Sequence, residues 1–329
     1  DTEAQGDQIV IFGGINTVGI GEQLEIYQTS TIQNRTFPIV GATVTVRDNF
    51  GSQTRMFGDA FGVYKFGSSR VTLIPGREYF IDIVLLNGKR YQSRPQVLPT
   101  ARAIENVSRE FKEEESVTED GVLITNRVME ITGTTRVDNP NNEDFFFRWA
   151  VQETYVLRPT DFPDIFSSVP LPFYYTSFIN PQRITLFDGE GIRLNELSSK
   201  VLGVREVDYS FLDRHYFTTL SHSITKEAYD FWNQVDVLTN ASGSIFDLPP
   251  ARIEGNFFNV NDPDEIVLGF FEVANTTLDR FFTVVSDSPF PVPESGCDFD
   301  PSDSFKVYPE FCLECIPEDG CSLNRPPFF

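Results

Sequence analysis

Along the first hundred residues, apolar side chains recur at every second position between turn-forming residues. "QIVIFGG" (8–14) and "EQLEIYQT" (22–29) read as strands. In "PIVGATVTVRDNFG" (38–51), Val40, Ala42, Val44 and Val46 alternate with Gly41, Thr43, Thr45 and Arg47, which predicts a half-buried strand. "GDAFGVYKF" (58–66) adds another strand, and "LIPGREYFIDIVLLNGKRYQS" (73–93) reads as two strands joined at an Asn87-Gly88 hairpin turn. This density of short strands predicts a small β-sandwich of the Ig-like or prealbumin-like kind over residues 1–98.

The pattern then breaks. "SREFKEEESVTEDG" is a charge run of the sort that forms a solvated loop, so residues 99–120 are expected to be an acidic linker. Strands resume at "GVLITNRVMEIT" (121–132) and "EDFFFRWAVQETYVL" (143–157). Phe145, Phe147, Trp149 and Val151 share one face of the latter. Its other face is not cleanly polar, which suggests cover on both sides. "VREVDYSFLDRHYFTTLSHSI" (204–224) continues the strands. Residues 225–238, "TKEAYDFWNQVDVL", carry helical periodicity through Ala228, Phe231, Trp232, Val235 and Leu238, with Thr225 placed to cap. A second, larger β-rich domain is expected over 121–287, with Trp149 and Trp232 in its core. A proline-rich, cysteine-bearing tail should occupy 288–329. The fold class is mainly β.

Composition narrows the function classes. The chain of 329 residues has 40% hydrophobic residues, enough for real cores, and 32 phenylalanines. Its formal charge of −22 disfavours nucleic acid and anionic lipid headgroups. No apolar run is long enough to span a bilayer.

Candidate chemistry is sparse. The chain has no nucleophile elbow, P-loop, zinc-protease motif or dinucleotide fingerprint, and "FGGINTVGIG" (12–21) reads as a turn between strands. The two histidines, His215 and His222, fall in a strand region, and the serines beside His222 point away from it. "NVNDPDEI" (259–266), "DNPNNED" (138–144) and "DFDPSDS" (298–304) leave room for a loop calcium ion, against ordinary acidic turns as the default. No acid pair stands out for hydrolysis, so catalysis is not expected. Phe173, Tyr174, Tyr175 and Phe178 in "PLPFYYTSF", together with Phe328 and Phe329 at the end of the tail, are candidate contact residues for a partner or glycan, against a loop tucked over its own core.

Cys297, Cys312, Cys315 and Cys321 are spaced C-x14-C-x2-C-x5-C. Zinc ribbons usually carry two C-x-x-C pairs and only one is present, so a zinc site built from all four thiolates is the lesser alternative, and neighbouring acids work against an activated thiolate. In an oxidising compartment two disulfides are expected. Three pairings are possible and the spacing does not choose among them.

Taken in order, "IVIFGGINT", "PIVGATVTVRDNFG", "FFFRWAVQETY", "SITKEAYDFWNQV", "FDLPPARIEGNFFN", "VLGFFEVA" and the cysteine tail resemble the Bacteroidota lipoprotein family known as domain of unknown function 4249. Residues 1–98 separately resemble the carboxypeptidase-regulatory-like, prealbumin-type sandwiches. The family resemblance implies a lipid anchor upstream of the first strand, an outer-membrane location facing the exterior, and a β-barrel partner of the TonB-dependent-transporter kind. It implies no activity and no cofactor. The expected role is a non-enzymatic accessory or assembly subunit that works by binding. A stand-alone ligand- or glycan-binding module is the alternative, and a hydrolase the remote one.

Overall fold

The computed structural model describes residues 8–30, 35–118, 120–161, 171–180, 184–240, 253, 255–303 and 305–329. Residues 162–170 of the proline-rich aromatic stretch and most of the "FDLPPARIEG" motif lie outside that set.

The first sandwich follows the alternation. It contains β1 (Ile9–Asn16), β2 (Gln23–Ser30), β3 (Arg35–Pro38), β4 (Thr43–Asp48), β5 (Gln53–Gly58), β6 (Val63–Phe66), β7 (Glu78–Val84), β8 (Arg90–Ser93) and β9 (Gln96–Val97). Ile11, Leu24, Ile26, Val44, Val46, Ile81 and Ile83 point inward at period two and are fully buried. Val40 does not join them. It is exposed, because the strand begins only at Thr43. Buried Tyr64 keeps its hydroxyl satisfied, donating to the Ile39 carbonyl (2.9 Å) and accepting from Ala42 N–H (3.0 Å).

The rest of the chain forms β10 (Ala103–Val117), β11 (Leu123–Val137), β12 (Phe146–Leu157), β13 (Phe173–Phe178), β14 (Thr185–Asp188), β15 (Lys200–Glu206), β16 (His215–Ile224), α1 (Lys226–Asn240), β17 (Phe257–Asn259), β18 (Val267–Leu268), β19 (Phe271–Thr283) and β20 (Cys321–Ser322). One sheet runs from β13 and β14 through β12 and β16 to β19. A three-stranded sheet, β10–β11–β15, covers one face of it. Phe145, Phe147, Trp149, Val151 and Phe217 fill the space between. The helix α1 covers the other face, with Phe231 and Ala228 against Phe146 and Ile224. Thr225 caps α1, its hydroxyl accepting from Ala228 N–H at 3.2 Å. The double cover expected of β12 is therefore present.

Two expectations need correction. Residues 103–117 are not a linker but a 15-residue strand, paired with β11 along its whole length. Its inward face mixes Val107 and Phe111 with Glu105 and Arg109. Glu105 accepts from the Trp149 indole N–H (2.8 Å), and Arg109 lies over the Phe281 ring (5.1 Å). Charges with specific inward partners hid the alternation.

The second correction concerns the first sandwich, which does not end at residue 98. β17 pairs with β8, while β18 and the start of β19 run parallel to β1. Phe257, Val267, Phe271 and Val273 belong to the first core. β19 therefore serves both sandwiches, pairing with β1 through Ala274 and with β16 from Asn275 onward. Gly269 makes this crossing possible. Its φ is +100°, and a Cβ there would lie 1.9 Å from the Ile11 carbonyl oxygen.

Candidate functional site

Where the two sandwiches share β19, the walls enclose a cleft of about 440 Å³. One side is β1 and the turn that follows it. Asn16 builds that turn, donating to the Ile20 carbonyl (2.8 Å) and accepting from Gly19 N–H (2.9 Å). The turn carries Ile20 and Gly21 to the rim. β12, β16, β19 and α1 supply the opposite walls, which are mostly apolar and aromatic.

A polar cluster lies in this apolar setting. Arg148 on β12 and His222 on β16 are cross-strand partners, so they share a face. Arg148 makes a bidentate pair with Glu272 of β19, Nε to Oε2 at 3.1 Å and Nη2 to Oε1 at 2.6 Å. The Trp232 indole N–H donates to the same carboxylate at 2.6 Å, and the guanidinium sits 4.7 Å from the Trp232 ring centroid. Burial alone would raise the Glu272 carboxyl. The Arg148 charge, its hydrogen bonds and that of Trp232 together outweigh it and hold the group below the ordinary glutamate value. Burial, reinforced by Arg148, lowers His222 to about 3, so its imidazole is neutral at pH 7. Its Nδ1 meets Thr276 Oγ1 at 2.7 Å. Sequence reasoning weighed His222 only as a catalytic base and set it aside, and did not single out Arg148 or Glu272. Their signal was one ionisable residue in the middle of each of three buried apolar strands, "FFFRWAV", "TLSHSI" and "GFFEVA".

The expected contact residues separate. Phe173, Tyr174 and Tyr175 form no exposed platform. They lie in β13 and are at most 8% exposed, with Tyr175 stacked on Tyr155 and Tyr174 edge-on to Phe329. Phe178, 38% exposed at the far end of β13, lines the cleft. Phe328 and Phe329 pack on Tyr216, and the Arg280 guanidinium lies 3.7 Å from the Phe328 ring centroid, so the end of the tail rests on the protein's own body.

The four cysteines form two disulfides, Cys297–Cys312 and Cys315–Cys321. They build a small core with Leu157, Phe173 and Tyr175, and β20 adds to the edge of β13. Gly320 permits the close approach. Its φ is +81°, and a Cβ would lie 2.3 Å from the Thr176 carbonyl oxygen.

Ser210, His215 and Glu153 fall in line as hydroxyl, imidazole and carboxylate, at 3.2 Å and 2.9 Å. All three are buried, and the Ser210 hydroxyl donates to Asp208 at 2.6 Å rather than serving as a nucleophile toward solvent. Arg205 bridges Glu153 and Asp208, which makes the group an internal polar brace. In the acidic turns, carboxylates meet protein donors: Glu143 pairs with Arg102, and Glu265 with Lys89 and Asn259.

A family model described as domain of unknown function (DUF4249) matches residues 1–280. The chain belongs to that family. No curated protein matches the sequence. Its family thus supplies a frame for the fold and no assigned chemistry. No helix among the described residues is long and apolar enough to cross a membrane.

Proposed function

We propose that this DUF4249 protein is a non-enzymatic, surface-exposed accessory subunit of an outer-membrane β-barrel complex, held to the membrane by a lipid anchor and working by binding. The observation that supports this best is the β10–β11 ribbon. β15 pairs with β11 only at residues 128–133, so residues 114–117 and 123–126 extend as two strands with no third among the described residues. The ribbon ends in Val117, Val122, Leu123 and Ile124, which are 65%, 57%, 61% and 39% exposed. Such a contiguous aliphatic tip is unfavourably hydrated unless a partner covers it. Cross-strand pairing and the Lys112–Glu130 ion pair (2.5 Å) brace the ribbon from behind. A barrel of the TonB-dependent-transporter kind is the partner expected of the family.

The test is a mild-detergent pull-down from native membranes, read by mass spectrometry. Wild type should recover a barrel protein, and Leu123→Asp with Ile124→Asp should lose it while leaving the melting temperature unchanged. Recovery of the wild-type chain alone would sink the proposal.

A further inference from the structure

The cleft at the shared strand is independent of the ribbon and carries its own chemistry. Its volume of about 440 Å³ falls in the range of small-molecule sites. Its walls include Phe12, Ile15, Leu202 and Leu220, with Phe178 at one end of β13 and Trp232 on the helix. Within it, two nitrogens have no partner among the described residues. Arg148 commits Nε and Nη2 to Glu272, leaving Nη1. His222 commits Nδ1 to Thr276, leaving Nε2, although the residue is only 4% exposed. Neither nitrogen is among the fully buried unpartnered atoms, so both open onto the cleft, where a ligand can meet them.

The charge balance selects the ligand class. Glu272 neutralises Arg148 through two hydrogen bonds, so the cluster offers donors without net positive charge. An anion would enter past Glu25, in a chain of charge −22, with no uncompensated cation to receive it. A cation could rest at Glu25 on the rim, but deeper in it would meet a guanidinium N–H, which only donates. We infer that the cleft binds an uncharged, mainly apolar small molecule that presents an oxygen acceptor, such as a carbonyl or hydroxyl, to Arg148 Nη1, beside the imidazole of His222.

Both tryptophans of the chain, Trp149 and Trp232, line the cleft, so intrinsic fluorescence reports its occupancy directly. The test titrates the full chain with prodan, an uncharged naphthyl ketone, and in parallel with anilinonaphthalene sulfonate, an anion of similar body. Prodan should bind once per chain, quench the tryptophans, and bind at least about tenfold more tightly than the sulfonate. Ala150→Phe, which fills the cleft from β12, should weaken prodan by about tenfold or more. If that variant does not fold, Ile20→Phe on the rim turn carries the same expectation. Absence of saturable prodan binding, or binding unchanged in the folded variant, would overturn the site. Equal or tighter binding of the sulfonate would overturn the ligand class. Neither result bears on the pull-down, which reads a different surface.

Discussion

His222 shows how a single side chain can be held in a state that water would not allow. Its pKa is lowered to about 3 by burial and by Arg148, against about 6.5 when unfolded. As pH falls below about 6.5, the unfolded chain takes up a proton that the native chain refuses. Stability is therefore full above that value and declines by up to about 1.4 kcal/mol per pH unit below it. His215 is lowered too, by burial opposed by Glu153, and adds in the same direction. Glu272 and Glu153 are depressed carboxyls, whose stabilisation persists through this window and fades only below the ordinary glutamate range. Urea midpoints should thus drop between about pH 6.5 and 4.5, and His222→Gln should flatten that slope. An unchanged slope would show that His222 titrates normally in the native state.

Among the elements, the tail shows how covalent and apolar contacts share the work. Each disulfide closes a short loop, with sequence separations of 15 and 6, and on the chain-entropy argument each contributes about 2–3 kcal/mol. Replacing Cys315 and Cys321 by serine should lower stability by about that amount and release β20 from β13. The expected readout is loss of amide protection at Thr176, whose N–H is bonded to the Gly320 carbonyl at 3.0 Å. The same elements show what the sequence could reveal. The period-two strands of the first sandwich, the Asn87-Gly88 hairpin, α1 and the stapled tail all follow from local signals. β10 did not, because Glu105 and Arg109 find partners only in the fold. The cleft did not either. Its polar residues lie far apart in the chain and meet through strand register, which no local pattern encodes. Trp149 was legible as core, but its position beside a cavity was not.

At the scale of the whole molecule, β19 ties the two sandwiches into one hydrogen-bonded system. Residues 1–98 expressed alone should fail to fold, because the first core would lack Phe257, Val267, Phe271 and Val273. Circular dichroism and amide exchange check this, and a protected, cooperatively melting fragment would refute it. In the full chain, the shared strand should couple the two cores into a single melting transition.

The parallel pairing of Gly13–Asn16 with Phe271–Ala274 also orders events in time. A growing chain makes β1 long before its partner, so the first sandwich stays incomplete until β19 has been synthesised. Contacts this distant in sequence are slow to form and leave an apolar strand edge uncovered meanwhile. For a protein built this way, the vulnerable period is its own biosynthesis, when a chaperone has the most to protect.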